Sequence, residues 1–157
     1  MTPGNRMTEA VSVEKVGRDT PRAEELLRFI ENCSWEEAKD HLAELIRSWD
    51  FTGDEAVFAA VADNRIVGMA TFLMTDYYPL PEIFPWVSSI FVDEDYRGRR
   101  ISGLLIGYAN AYAKSLGCER TYIPSSFFGL YEKYGYRYLR DIVNYGGETD
   151  HLFVIDL

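Results

Sequence analysis

No apolar run in this 157-residue chain approaches the ~20 residues that a membrane-spanning helix needs. The first residues also lack a basic segment followed by an apolar one, so no secretory signal is expected and the chain is read as cytoplasmic, with no membrane partner. Residues 1–7 read as a flexible leader, with Met7 as an alternative start, and 8–157 as one domain. Cysteine is scarce. Cys33 and Cys118 have no metal-ligand spacing and read as reduced thiols, so neither a disulfide framework nor a bound metal is expected. Positive charge is in short supply too: 16 Lys and Arg against 25 Asp and Glu give a net charge of −9. That balance argues against nucleic acid as the main partner, which would need a basic face. It suits solubility, and it also suits a cationic substrate drawn to an acidic mouth.

What is present is an ordinary globular balance, 47% hydrophobic, with enough tyrosine (11) to line a pocket as well as fill a core. Val11 and Val13 alternate with polar residues as a short strand does. Thr20-Pro21 opens a helix carrying Ala23, Leu26, Leu27 and Ile30, with Thr as cap and Pro at the first position. Ser34-Trp35-Glu36-Glu37 has the form of a capping box for a second helix. His41 lies off that helix's apolar stripe and reads as solvated. Strands at Ala56–Ala62 and Arg65–Met74 flank Asp63-Asn64, a tight-hairpin dipeptide. After the loop at Tyr77–Pro81 come a strand at Trp86–Val92 and a long helix from Ile101 to Leu116, stopped by Gly117. A short strand at Thr121–Ile123 is expected to end at Pro124, and a short helix at Phe128–Tyr134 to stop at Gly135. Two late strands bracket Gly146-Gly147. The fold class is α/β (α+β): one domain with a mixed, largely antiparallel sheet of about six to seven strands flanked by helices.

Chemistry concentrates between Trp86 and Tyr136. A strand enters Tyr96-Arg97-Gly98-Arg99-Arg100-Ile101-Ser102-Gly103, which runs into the long helix. A helix's first turn offers unpaired N–H groups and the positive end of its dipole. Glycine lets backbone approach a phosphate, and arginine adds forked donors. The segment is a candidate pyrophosphate cradle.

Together with Gly129-Leu130-Tyr131-Glu132-Lys133-Tyr134-Gly135-Tyr136 about thirty residues later, this loop resembles the GNAT-type N-acetyltransferases. The resemblance implies acetyl-CoA (coenzyme A) as acyl-donor co-substrate, with its pyrophosphate at Arg97, Gly98, Arg99, Arg100, Ile101, Ser102 and Gly103. It implies backbone pairing of the pantetheine arm with Ile90, Phe91 and Val92, where the fourth and fifth strands splay apart. It gives Tyr131 the role of the acid that protonates the departing thiolate. The acceptor is then a small-molecule or peptide amine.

The loop departs from the family pattern. Arg100 and Ser102 stand where glycines are usual, and Arg100 can hold the turn only if no positive φ is required there. Pro124-Ser125-Ser126 replaces the usual Asn, so Ser125 or Ser126 could meet the pantetheine arm, or Ser126 could cap the short helix. The strand Trp86–Val92 has no carboxylate, which leaves the general base open among Glu82, Asp76, Asp141, Asp150, His151 or a water held by Ser88 or Ser89. Tyr77, Tyr78, Trp86 and the two N-terminal helices are expected to shape the acceptor site. The other reading is a non-catalytic acyl-CoA-binding or regulatory module of the same fold. A homodimer is left open.

Overall fold

Every residue of the segment Ala56–Ala62 is buried, as a strand covered on both faces requires. It is β2 of a sheet of seven strands: β1 Val11–Lys15, β2 Ala56–Ala62, β3 Arg65–Leu73, β4 Trp86–Val92, β5 Arg120–Ser125, β6 Arg137–Val143 and β7 Thr149–Asp156. The order is β1-β2-β3-β4-β5-β7-β6, antiparallel except for the β4–β5 pair. The computed structural model describes residues 10–157, so the leader read at 1–7 lies outside the described residues. Helices α1 (Pro21–Glu31) and α2 (Lys39–Ser48) cover one face over Val57, Ala59, Val61 and Met69. Helix α3 (Ile101–Ser115) covers the other over Phe58, Ala60, Ala70 and Phe72. None of the described helices is long and apolar enough to cross a membrane.

Local chemistry explains most of the boundaries. The Thr20 hydroxyl accepts the Ala23 amide at 3.2 Å, and Pro21 needs no partner at the first position. Asp63 and Asn64 both take positive φ (51° and 60°), the conformation that a two-residue hairpin turn demands. Arg22 of α1 clamps that turn, donating to the Asn64 carbonyl and side chain while pairing with Glu14 and Glu25 at 2.7 Å.

Three expectations are corrected. Ser34 does not cap α2, which begins only at Lys39. The Trp35 indole instead stacks on Phe91 of β4 (6.2 Å, 12°), and this tertiary contact overrides the local cap signal. β5 does not stop at Pro124 but runs to Ser125. The Tyr122 amide donates to Pro85 on the β4 side, so by strand alternation the Pro124 nitrogen also faces β4, where no ladder continues. The helix expected at Phe128–Tyr134 shrinks to a 3-10 turn at Tyr131–Tyr134, with Gly129 and Gly135 at positive φ on either side of it.

Helix α3 packs close to that turn. A Cβ on Gly103 would lie 2.6 Å from the Tyr134 ring, whereas one on Gly107, a single turn later, would meet nothing within 4 Å. Alanine has the same helix preference at both sites, so packing sets the sign. Gly107→Ala should stabilise the fold by about 0.5–1 kcal/mol, and Gly103→Ala should destabilise it by about 1–3 kcal/mol as the ring is displaced. Denaturant midpoints of the two variants check this.

Candidate active site

Strands β4 and β5 are hydrogen-bonded only around Trp86 and Tyr122 and then separate. The separation begins at a bulge. Ser89 takes φ 50°, and the β3 register slips so that Thr71 faces Ser88 while Met69 faces Phe91. Beyond the bulge, the Asp93 amide donates to Val67 on β3 at 2.8 Å, so Phe91 and Asp93 turn their backbone groups to β3. Ile90 and Val92 must then turn theirs toward the gap. The Val92 carbonyl accepts from the Arg97 guanidinium at 3.1 Å. Of the three strand positions read as cofactor contacts, Ile90 and Val92 thus line the gap with backbone. Phe91 sends its ring to the opposite face, against Phe29 and Trp35.

The loop that follows ends at the first turn of α3. Asp93 caps a 3-10 turn at Glu94–Tyr96 by accepting the Asp95 amide at 3.0 Å. Tyr96 is buried, with Arg65 donating to its hydroxyl and the Arg99 guanidinium 4.8 Å above its ring. Gly98 takes φ 79° in open space. Arg100 takes φ 59° and ψ 27°, so the turn does require a positive φ there and an arginine nonetheless holds it. A left-handed conformation costs a non-glycine residue roughly 1–2 kcal/mol, and such strain gathers at functional sites. The first helical bond joins the Leu104 amide to the Arg100 carbonyl, which leaves the amides of Ile101, Ser102 and Gly103 without helical partners. Their side groups serve packing: Ile101 is buried, the Ser102 hydroxyl shares a 3.0 Å bond with that of Tyr134, and Gly103 makes room for the Tyr134 ring.

Tyr131 sits on the α3 face beside Phe153 and is 8% exposed. Burial, with smaller contributions from Tyr134 and Tyr136, pushes its phenol up to about 12, which keeps the proton on oxygen. Its hydroxyl makes no hydrogen bond among the described residues. The Tyr136 hydroxyl, by contrast, is fixed by Thr121 at 2.7 Å and Asn110 at 3.1 Å. The Ser125 hydroxyl is held within its own turn by Phe127, and Ser126 is exposed.

The base candidates fall on different sides. His151 and Asp141 pair at 2.6 Å on the α3 face, with Phe128 stacked 4.0 Å from the His151 ring. Glu82 is exposed and 3.6 Å from Arg140. Asp150 accepts from the Tyr78 hydroxyl at 2.7 Å, and Tyr78 stacks on Trp86. Asp76 differs from all of these. Its Oδ1 accepts the Tyr77 amide at 2.7 Å, while its Oδ2 is wholly buried and has no partner among the described residues. Burial raises its carboxyl above the ordinary carboxylate range, against lesser opposing effects of the Tyr77 amide, the Ser88 hydroxyl and His41. Thr71, which does not stand out in the sequence, is a buried hydroxyl bonded to both the Ser88 carbonyl (3.0 Å) and its hydroxyl (3.1 Å). The available signal was its place as the one polar side chain within the apolar run Ile66–Leu73.

The site is thus an open seam in a seven-stranded sheet, with a helix N-terminus at one end and a buried phenol beside it. The chain belongs to the Acetyltransferase (GNAT) family, whose profile matches residues 21–136. Among solved structures it shares its fold with aminoglycoside 6'-acetyltransferase type Ii, at 19% identity over 92% of this chain and 96% of that one, with a TM-score of 0.71. An aminoglycoside 6'-N-acetyltransferase complexed with coenzyme A gives 15% identity, the same coverages and a TM-score of 0.71. A GNAT family acetyltransferase from Elizabethkingia anophelis with acetyl-CoA bound gives 19% identity, 94% and 98% coverage and a TM-score of 0.61. No curated protein matches the sequence.

A carboxyl raised in the fold holds its proton more tightly there than in the unfolded chain. Its contribution therefore favours the fold below the unfolded value near ~3.9 and is lost as pH rises through the higher folded value. Asp76→Asn keeps an oxygen for the Tyr77 amide and removes the charge. The variant should melt higher than wild type at pH 7, with the difference closing as pH falls toward about 4. Each ~1 kcal/mol moves the melting point by about 2–4 °C in a domain of this size, so calorimetry at several pH values resolves the effect.

Proposed function

We propose that this protein transfers acetyl from acetyl-CoA to a primary amine. The observation that carries the reading is the seam itself: Ile90 and the Val92 amide turn backbone toward a gap that opens beside the free amides of α3, with the Val92 carbonyl already met by Arg97. Buried backbone groups demand partners, and an extended amide-bearing arm laid along β4 supplies them as an added strand would. The pyrophosphate would lie on the amides of Ile101, Ser102 and Gly103, approached over Gly98 and flanked by Arg97, Arg99 and Arg100. Ser126, exposed at the end of β5, is the free one of the two serines for a contact with the arm. Tyr131 is the acid: its hydroxyl is free of other bonds and stays protonated until the thiolate forms beside it. Two of the similar structures are aminoglycoside acetyltransferases, so an aminoglycoside belongs among the acceptors to test.

The test is thiol release from acetyl-CoA with kanamycin, spermidine and a peptide bearing a free N-terminus. Turnover with at least one is expected. Binding of acetyl-CoA with no thiol release from a broad set of amines would leave a binding module instead. Tyr131→Phe keeps the ring and deletes the hydroxyl. It should lower kcat by roughly tenfold to several hundredfold, toward the lower end for a general acid because a thiol is a good leaving group. Acetyl-CoA affinity and melting temperature should change little. Full kcat in the Phe variant would make Tyr131 a packing residue. At the anion cradle, Gly98→Val should weaken acetyl-CoA binding more than Arg99→Ala, since φ 79° is strained for valine while Arg99 is an exposed charge resting on Tyr96. Calorimetric titration of both variants measures the order.

A further inference from the structure

The sheet keeps its two faces chemically distinct. On β4, Val87 packs into the core under α3, while Trp86 belongs to the cluster on the opposite face with Tyr122, Leu152 and Val154. Ser88 follows Trp86 by two residues and so shares its face, as does Thr71, whose neighbours Ala70 and Phe72 lie under α3. This second face is the one that α1 and α2 cover. Between its two apolar clusters lies a polar interval made of Thr71, Ser88, Asp76, Tyr78 and Asp150.

Two buried side-chain atoms lack any partner among the described residues, one inside this interval and one on Trp86, which borders it through the stack with Tyr78. One is the acceptor Asp76 Oδ2, and the other is the donor Trp86 Nε1, on a residue 1% exposed. Native structures rarely leave such atoms unpaired, and an orphan marks a site whose partner is a water or ligand. Trp86 is also the β4 residue paired with Tyr122 at the apex of the gap, and Ser88 directly precedes the bulge residue Ser89. The interval therefore opens at the point where the strands part.

We propose that Asp76 is the catalytic base, taking the proton from a primary ammonium acceptor seated against Asp76, Asp150 and the Tyr78–Trp86 stack on the α1/α2 face. The inference rests on the transfer reading above. The ammonium gives one proton to Asp76 Oδ2, from which it passes to solvent. The freed nitrogen lone pair forms the C–N bond at the thioester carbonyl carbon, and the C–S bond breaks. The thiolate takes the Tyr131 proton, and the second proton lost by nitrogen restores the phenol through solvent. The sum is amide, thiol and one released proton. Acid and base thus work from opposite faces of the sheet, so neither neutralises the other directly.

The charges facing Asp76 set its titration. His41 of α2 is the positive partner, Asp150 of β7 is the negative one, and the Tyr77 amide donates to the Asp76 Oδ1 at 2.7 Å. A bound ammonium adds a positive charge and lowers the carboxyl's affinity for protons, an effect that fades as the amine is neutralised. The His151–Asp141 pair is the competing base, but it lies on the α3 face with Phe153, under Phe128.

The test uses whichever of spermidine, kanamycin and the peptide α-amine the wild type acetylates fastest, with kcat and kcat/KM followed against pH. Asp76→Asn should lower kcat about a hundredfold or more with the KM for acetyl-CoA unchanged, and should abolish the acidic limb of the profile. Asp76→Glu should recover part of the rate with a shifted limb. His151→Ala should leave the limb in place. An Asn variant within a few-fold of wild type, with the same profile, overturns the assignment and leaves the transfer reading standing. A wild type that releases no thiol with any of the amines removes both. Because the Asn variant is expected to melt higher than wild type, misfolding is separable from loss of the base. A carbon NMR titration of the Asp76 carboxyl is an independent check: a raised midpoint that spermidine lowers is expected, and an ordinary aspartate midpoint, unmoved by spermidine, would also overturn the proposal.

Discussion

The architecture turns on a hydrogen-bond ladder that is abandoned almost as soon as it begins. β4 and β5 are neighbours in the middle of the sheet, yet they pair only around Trp86 and Tyr122. Leaving a central ladder unmade strands backbone donors and acceptors, and each such group buried without a partner costs about 1–3 kcal/mol. The chain limits that cost from both sides. The bulge at Ser89 turns β4 away within one residue, so its groups reach a gap that solvent or an arm can enter. On β5, Pro124 removes a donor where no acceptor would face it. The β7 ladder holds β5 straight on its far side, in register from Arg120 to Ser125, so the opening belongs to β4 alone.

That opening also decides where chemistry happens. A closed sheet of this kind would separate α3 from α1 and α2 by a continuous layer of backbone. Parting two strands lets a reacting carbon lie in the plane of the sheet, reachable from both sides. The alternation of side chains along β4 then distributes the work without further design. Residues under α3 share the face of Tyr131, and residues on the other side share the face of Ser88 and Thr71; the proposed transfer would place the leaving group on the first and the acceptor on the second. The β4 bulge shifts that alternation by one, which is why Phe91 joins Trp35 and Phe29 on the acceptor face instead of following Val87 under α3.

The sequence disclosed what depends on local chemistry and on motif order. The hairpin turn at Asp63-Asn64, the Thr20 cap, the span of β4 and the length of α3 follow from turn residues, capping and periodicity, all of which act over a few residues. Features set by distant contacts were less legible. The stacking of Trp35 on Phe91 displaced a helix start that the local pattern placed a few residues earlier. Pro124 read as a strand end because its missing donor matters only if a partner strand is there to miss it. In the site, Arg100 looked incompatible with a left-handed turn, and it adopts one nonetheless. Asp76 stood as one carboxylate among several, since nothing in a sequence separates an enclosed aspartate from an exposed one.

Charge acts on two length scales in this protein, and the scales disagree. The net charge of −9 repels a polyphosphate at a distance and attracts a cation. At contact the order reverses beside α3, where amides without helical partners and the guanidiniums of Arg97, Arg99 and Arg100 offer donors that a phosphate would meet directly. Long-range fields are screened within about 8–10 Å at physiological salt, whereas hydrogen bonds to fixed amides are not. An acidic chain can therefore hold an anionic coenzyme, provided the donors are fixed in place before it arrives. Arg100 bears on that condition: holding φ 59° commits the loop to one shape, with Gly98 open to solvent and the first turn of α3 uncovered. On the opposite face the carboxylates of Asp76 and Asp150 act in the same sense as the net charge, both favouring a cation. The asymmetry follows from what each partner needs. The coenzyme needs fixed donors at close range, and the amine needs attraction from a distance followed by a group able to take its proton.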